Sequence, residues 1–235
     1  GNVTVSGVVA PSRTYWSNIG SLTTWTATDF NNVFQNDGSE LTGIFPLGDR
    51  LVFPKEKSVH VALFTGDSDI PFTFAKTPSS VGAISSYSVQ EVNNGLVFLA
   101  YDGLYYFDGS DSTKISDRIN ATFALMAKGR FAFASSVYQR EKHRYWLSIT
   151  LSGGSENTRI IMWDTVNNAF SVYEGLAANA MEIVVTSGDE RVYFGDYDGF
   201  AYRADNGTSD HPEGTATDTA IDAFWKSKWL NFGDL

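Results

Sequence analysis

The sequence contains no cysteine among its 235 residues. This absence excludes a disulfide framework, a thiol nucleophile and any zinc or iron–sulfur site that depends on cysteine ligands. No uninterrupted apolar run approaches the roughly 18 residues that a membrane helix needs, and no basic segment followed by an apolar one opens the chain. We therefore expect no membrane partner.

Positive charge is also scarce, because 17 Lys and Arg face 27 Asp and Glu, for a net charge of −10. A protein that binds nucleic acid directly needs cations that face the phosphates. The composition therefore predicts no specific nucleic-acid ligand.

Recognisable catalytic and phosphate-binding motifs are missing as well. No GxGxxG, GxxxxGK[ST], GxSxG or HExxH segment occurs, which removes the local signatures of phosphate-binding loops, nucleophile elbows and zinc proteases. The three histidines, His60, His143 and His211, share no metal-binding spacing with one another. The sequence predicts no catalytic residue, no cofactor and no metal site.

Aromatic residues, in contrast, are abundant at 14%, hydrophobic residues reach 43%, and charged residues are only 19%. This balance favours packed strands. Helical periodicity is almost absent, whereas short alternating apolar segments are bounded by Asp-Gly and Gly-Asp pairs, which supply the positive φ angles that tight turns need. The sequence predicts an all-β fold.

The predicted strands repeat at a nearly fixed interval. The strand that opens each unit begins near Leu41, Ser86, Phe131 and Met181, in steps of 45, 45 and 50 residues. A four-stranded antiparallel meander of about 45 residues has the size of a β-propeller blade. We predict one propeller-like domain over residues 1–235, either closed or an incomplete ring, with units at 41–85, 86–130, 131–180 and 181–235. A β-sandwich or an open β array is the alternative.

Two turns carry the clearest internal match. Tyr101–Tyr106 aligns with Tyr197–Tyr202, so that Asp102-Gly103 and Asp198-Gly199 should occupy equivalent hairpin turns two units apart. Each glycine should have a positive φ, and replacement by Val should cost on the order of 1 to 3 kcal/mol.

Both ends of the chain carry tryptophans outside the regular units. Residues 1–40, with Trp16 and Trp25, look like outer strands of a further blade, and Trp225 and Trp229 lie on a terminal strand. Their apolar faces need cover, so these four tryptophans are candidate interface residues. The chain is therefore expected to be a fragment of a longer polypeptide.

Three carboxylates support a second functional class. Five-bladed propellers host glycoside hydrolases in which paired acids flank a sugar, and Asp49, Glu91 and Asp102 are the candidates for such a pair. However, Asp49 and Asp102 stand in Gly-containing turns, where a short acceptor side chain bonds its own backbone. A carbohydrate-binding or glycoside-hydrolase propeller is therefore the alternative function.

Seven segments carry a family resemblance: Arg13–Ser17, Leu41–Ile44, Gly48–Phe53, Lys55–Val59, Gly95–Leu99, Asp102–Gly109 and Ile115–Ile119. Their sequences resemble those of the propeller-containing tail proteins of tailed bacteriophages, of the hub, nozzle or stabilisation type. The resemblance implies a non-enzymatic structural component located in the virion tail. Its partners would be other tail or neck proteins and copies of itself, and DNA could pass through the assembly along an acidic wall.

Overall fold

The computed structural model describes residues 3–5, 8–35, 37–207, 209–210, 217 and 219–224. This part of the chain is all-β, as predicted, with twenty-one strands and a single five-residue α-helix, α1 (Asn120–Ala124). Three short 3-10 segments cover Ser86–Ser88, Asp117–Ile119 and Lys128–Phe133. Within the described residues, no helix is long and apolar enough to cross a membrane.

Most strands belong to four consecutive antiparallel meanders, which we call sheets 1 to 4. Sheet 1 consists of β5 (Phe45–Leu47), β6 (Arg50–Pro54), β7 (Val59–Phe64) and β8 (Phe72–Lys76). Sheet 2 consists of β9 (Gln90–Val92), β10 (Gly95–Ala100), β11 (Gly103–Phe107) and β12 (Ser112–Lys114). Sheet 3 consists of β13 (Ser135–Gln139), β14 (Arg144–Thr150), β15 (Asn157–Asp164) and β16 (Ala169–Glu174). Sheet 4 consists of β17 (Ala180–Thr186), β18 (Asp189–Gly195) and β19 (Ala201–Arg203).

The remaining strands form three separate two-stranded hairpins. Before sheet 1 these are β1 (Val3–Val5) with β2 (Val8–Ala10), and β3 (Arg13–Tyr15) with β4 (Phe30–Asn32). After sheet 4, β20 (Ser209–Asp210) pairs with β21 (Thr219–Ala220). In place of the predicted further blade, the described part of residues 1–40 forms two hairpins. Sheet 4 has three described strands, whereas four were predicted.

The repeat is more regular than the sequence predicts. The four first strands begin at Phe45, Gln90, Ser135 and Ala180, so each sheet starts 45 residues after the one before. The predicted starts near residues 41, 86 and 131 are four residues early. At 86 and 131 the chain forms 3-10 turns before the strand, and Leu41 makes only an isolated bridge to Lys55.

The strands form because both faces of the inner sheets are buried. All six residues of β10 are buried, and alternate side chains serve opposite cores. Leu96 and Phe98 pack towards sheet 1, whereas Val97 and Leu99 pack towards sheet 3. A strand with two buried faces reads as a continuous apolar run rather than as an alternation.

The cores between neighbouring sheets follow the same order as the chain. Val52, Val59 and Phe107 belong to the core between sheets 1 and 2. Tyr145 and Leu147 belong to the core between sheets 2 and 3. The main residues of the core between sheets 3 and 4 are Val137, Trp146, Ile160, Met162, Met181, Val192 and Phe194. The sheets therefore stack face to face.

The two ends of this stack differ. The face of sheet 1 that points away from sheet 2 is covered by the N-terminal segment, through Val33 against Phe53 and Ala62. On β17 of sheet 4, Val184 is 42% exposed and Val185 is 64% exposed. Among the described residues, sheet 4 thus presents apolar strand residues to solvent, and so does the end of β7 in sheet 1, where Leu63 and Phe64 are exposed.

Candidate functional site

The first strands of all four sheets line one cavity of about 450 Å³. Sheet 1 contributes Phe45, sheet 2 contributes Gln90, sheet 3 contributes Ser135 to Tyr138, and sheet 4 contributes Met181 to Ile183. Tyr87, in the 3-10 turn before β9, lies on the same wall. The cavity is therefore a consequence of the repeat, because each unit presents the same edge to it.

Hydrogen bonds from the first strands join neighbouring sheets beside this cavity. The Gln90 side-chain amide donates to the Ser136 carbonyl (2.9 Å), and the Ser136 hydroxyl donates to the Tyr87 carbonyl (2.9 Å). On the other side of β13, the Met181 N–H donates to Ser135 Oγ (3.3 Å). The polar side chains of β13 are thus used to connect sheet 3 with sheets 2 and 4.

Among the described residues, Glu182 is the one carboxylate that lines the cavity. Its Oε1 accepts a hydrogen bond from the Ile183 N–H (3.0 Å). A glycoside hydrolase needs two carboxyl groups that flank the same sugar. The described lining of the cavity therefore lacks the pair on which the glycosidase alternative depends.

The three carboxylates singled out by sequence lie elsewhere. Asp49 is in the turn between β5 and β6, beside Arg50. Glu91 is on β9 but its carboxylate is 3.8 Å from Arg140, in the β13–β14 turn. Asp102 is in the β10–β11 turn and accepts from Lys114 Nζ (2.8 Å). Each has its own neighbour, and none belongs to the cavity lining.

The two Asp-Gly turns occupy corresponding places in sheets 2 and 4, between the second and third strands. Gly103 has a φ of +149° and Gly199 a φ of +94°. Their surroundings differ, because a Cβ on Gly103 would collide with Ser116 Oγ, whereas one on Gly199 would meet nothing. Ser116 Oγ accepts the Leu104 N–H (2.9 Å), so the collision would also disturb the start of β11.

Asp102 also affects a neighbouring phenol. The Tyr105 hydroxyl donates to Asp102 Oδ2 (3.2 Å). Burial, and then the nearby Asp102 carboxylate, raise the pKa of Tyr105 to about 12. Tyr105 therefore stays a neutral donor to this turn at physiological pH.

The tryptophans expected at interfaces have different environments. Trp16 packs on sheet 1, with ring centroids 5.6 Å from Phe72 and 6.4 Å from Phe74. Trp25 is exposed. Trp225 and Trp229 lie outside the described residues. Only Trp25, among the described pair, presents most of its side chain to solvent.

A buried polar cluster joins the N-terminal segment to sheet 1, and sequence analysis did not identify it. Lys55 is fully buried, and its Nζ donates to Asp37 Oδ1 (2.5 Å), Ser12 Oγ (3.1 Å) and two main-chain carbonyls. His60 is also fully buried and stacks on Phe34, with ring centroids 4.4 Å apart. The cluster lies on the face of sheet 1 that the N-terminal segment covers.

Charges within this cluster control its protonation. Burial, followed by the nearby Lys55 ammonium, lowers the pKa of His60 to about 4. Burial is the largest single influence on Asp37 and acts to raise its pKa, but the hydrogen bonds from Lys55 and the Ser39 N–H, together with the nearby positive charge, outweigh it and hold that pKa below its usual value. At neutral pH the cluster therefore contains one Lys–Asp ion pair and a neutral imidazole.

Ser58, His60 and Asp37 do not have the geometry of a catalytic triad. Ser58 Oγ is 2.9 Å from His60 Nε2, and Asp37 Oδ2 is 4.0 Å from the same nitrogen. A triad places the carboxylate on the opposite ring nitrogen, and His60 Nδ1 has no partner among the described residues. Because Ser58 and His60 are both buried, the arrangement also leaves no access for a substrate.

The remaining histidines are separate from this cluster. His143 is exposed in the β13–β14 turn, with a φ of +53°, and His211 lies outside the described residues. In the part of the chain that the structure describes, no three His, Asp or Glu side chains are grouped to hold a metal ion.

No protein-family model matches the chain, and a search of curated proteins finds no match either. Among solved structures, it is similar to the extracellular domain of a protein described as a hybrid two-component system from B. thetaiotaomicron, with 11% identity and a TM-score of 0.45. That match covers 83% of this chain and 25% of the other. An extracellular domain described as part of a one-component system from the same organism matches with 10% identity and a TM-score of 0.41, over 84% and 24% of the two chains. The chain spans about a quarter of the length of these structures.

Proposed function

We propose that sheets 1 to 4 are blades of a β-propeller. Three features support this architecture: the sheets start every 45 residues, they stack face to face, and their first strands line a common cavity. Radial stacking of four-stranded meanders around a central channel is the propeller arrangement.

We further propose that the chain is a non-enzymatic structural component that works by assembly with other protein surfaces, in the tail of a bacteriophage. The observation that carries the assembly role is the face of sheet 4 that points away from sheet 3, where Val184 is 42% exposed, because Met181 and Ile183, on the opposite face of the same strand, pack against sheet 3. Sheets 1 to 3 have neighbours on both faces. A second protein surface that covered the outer face of sheet 4 would bury its exposed apolar residues in the same way. The tail location is what the sequence resemblance implies.

The charge of the chain agrees with this proposal. A net charge of −10 makes the surface unfavourable for binding the DNA backbone. An acidic wall repels phosphates, so DNA that passes through a tail would move along it without adhering. A carbohydrate-active propeller is less well supported, because Asp49, Glu91 and Asp102 have separate neighbours and lie outside the cavity lining.

Val184→Lys tests the assembly role in phage particles. We expect the variant to be folded but depleted from purified virions, because a specific contact of about 1,000 Å² or more would have to bury the new ammonium group. Val166→Lys is the matched control, since Val166 is 69% exposed in the β15–β16 turn of sheet 3 and is not a residue of sheet 4. Quantitative mass spectrometry of the particles measures incorporation.

Two results would count against the proposal. Absence of the wild-type chain from virions would remove the tail assignment, and equal incorporation of both variants would remove the role of the sheet 4 face. Glycan hydrolysis by the purified chain, lost in Asp49→Asn or Glu91→Gln, would instead support the glycosidase alternative.

A further inference from the structure

A second cavity, of about 260 Å³, opens between sheets 3 and 4, away from the first strands' cavity. We call it the 3/4 cleft. Its lining includes Gln139, Lys142, Trp146, Arg191 and Arg203. Several acidic side chains lie around it, so the question is which polar groups are already paired and which face the cleft without a partner.

Two N–H donors of the cleft are buried and have no acceptor. Trp146 is only 1% exposed, and its indole Nε1 has no hydrogen-bond partner among the described residues. The Nε atom of Arg191, on β18 of the facing sheet, is also buried and also has no hydrogen-bond partner among the described residues. A buried donor without an acceptor has lost its hydrogen bonds to water without replacement, so each is expected to be satisfied by an oxygen atom that enters the cleft.

Three of the four carboxylates that line the cleft already accept hydrogen bonds from neighbouring groups. The Glu141 carboxylate accepts the Glu190 N–H (2.9 Å), and the Glu190 carboxylate accepts the Glu141 N–H (3.0 Å). Asp205 is held by Arg144 (2.8 Å) and by the Tyr173 hydroxyl (3.2 Å). These carboxylates are therefore tied to the walls of the cleft.

The cations of the cleft are less completely paired. Lys142 and Arg203 make no ion pair with any described residue. Arg191 pairs with Asp189 only through Nη2, at 3.7 Å, which leaves its Nε directed elsewhere. Four donor groups of the cleft thus lack an acceptor among the described residues, and three of the four carry or share a positive charge.

We propose that the 3/4 cleft binds a carboxylate, with the indole N–H of Trp146 and the guanidinium Nε–H of Arg191 as its buried donors. Two acceptor oxygens on one planar group match two donors, and charge-assisted hydrogen bonds are the strong ones. A doubly charged phosphate is less suitable, because the four carboxylates of the lining, Glu141, Asp189, Glu190 and Asp205, would repel it more strongly than a singly charged carboxylate. The carboxylate could belong to a small organic acid or to an Asp or Glu of a partner protein.

Nuclear magnetic resonance of the indole N–H groups tests the proposal in the wild-type chain. Titration with acetate should shift the Trp146 Nε1–H signal saturably, with a dissociation constant on the order of a millimolar, as expected for a ligand of few atoms. Trp163 is the internal control, because it is also buried but its Nε1 already donates to Asn168 Oδ1 (3.1 Å). Its signal should not move.

Three comparisons separate the possible ligands. Acetamide should shift the Trp146 signal far less than acetate, and an equal effect would overturn the assignment to a carboxylate. Phosphate should bind more weakly than acetate, and tighter binding would equally overturn it. A capped peptide that contains Glu, compared with the same peptide containing Gln, shows whether a protein carboxylate binds. Tighter binding of the Glu peptide than of acetate indicates a partner protein as the source of the carboxylate, and tighter binding of acetate indicates a free acid.

Substitutions then identify the donors. Trp146→Phe keeps the aromatic packing and removes the N–H, so acetate affinity, followed in this variant by the Arg191 Nε–H signal, should fall at least about tenfold. Lys142→Gln, in the exposed β13–β14 turn, gives a second variant that leaves the core intact and should weaken binding severalfold. If wild-type Trp146 shows no saturable shift up to about 50 mM acetate, or if Trp163 shifts equally, the proposal is wrong.

Discussion

The ammonium group of Lys55 tests how the N-terminal segment is attached to sheet 1. Its Nζ donates to Ser12 Oγ (3.1 Å), the Val33 carbonyl (3.3 Å), the Phe34 carbonyl (3.1 Å) and Asp37 Oδ1 (2.5 Å). All four acceptors belong to residues 12–37, whereas the lysine directly follows β6. Lys55→Met keeps an unbranched side chain of similar volume and removes every one of these donors.

Opposing contributions set the size of the effect. Hydrogen bonds to a charged group contribute about 1.5–3 kcal/mol each, and two main-chain carbonyls would lose their donor. On the other side, the substitution removes the cost of burying an ammonium group, and an apolar replacement can recover much of an ion pair's contribution. Asp37, whose side chain is 27% exposed, can regain water. We therefore expect a net loss of about 2 kcal/mol in the free energy of unfolding.

Urea unfolding measured by circular dichroism gives the stability change, and hydrogen exchange locates it. Amides of residues 12–34 should exchange faster in Lys55→Met, whereas those of β14 should not change. Lys57→Met is the matched control, because Lys57 is exposed two residues further along, and it should change stability by less than about 0.5 kcal/mol. If Lys55→Met were as stable as the wild type and protected the same amides, Lys55 would not be the tether described here.

Two further predictions concern protonation and turn geometry. The pKa of His60 is lowered to about 4 in the fold, against about 6.5 when unfolded. As the pH falls, the unfolded chain therefore protonates His60 at a higher pH than the folded chain does. The contribution of neutral His60 to stability is fully present above pH 6.5, and the free energy of unfolding should fall by about 2–3 kcal/mol as the pH drops to 4. In urea titrations over this pH range, His60→Phe should reduce the loss of unfolding free energy, whereas His143→Gln, at an exposed histidine, should leave it unchanged. Parallel plots of unfolding free energy against pH for the wild type and His60→Phe would contradict this. Gly103→Val should destabilise more than Gly199→Val in the same assay, because only Gly103 combines a positive φ with the contact to Ser116. Equal losses of stability in the two variants would mean that Ser116 moves away from the new side chain at no cost.

Sheet content and repeat length can be predicted from the sequence because they depend on local pattern. Apolar runs such as Leu96–Ala100, separated by Gly-containing turns, indicate strands whether or not their neighbours are known. The same reasoning places three strands four residues early. Ser86–Ser88 forms a 3-10 turn because Ser88 Oγ donates to the Ser85 carbonyl and accepts the Leu99 N–H. The second of these bonds requires a strand that lies eleven residues later in the chain.

The polar sites could not be predicted, because each joins residues that only the stacking of sheets brings together. Lys55 meets Ser12 across 43 residues, and a charged Lys-Glu-Lys segment next to a turn is typical of a solvated surface. Trp146 appears in the sequence as one more core aromatic, and its packing in the core between sheets 3 and 4 agrees with that. Its role in the 3/4 cleft depends instead on one indole atom and on a guanidinium from the next sheet. Periodicity specifies which face of a strand is buried, whereas the partner of each buried polar atom depends on which sheet covers that face.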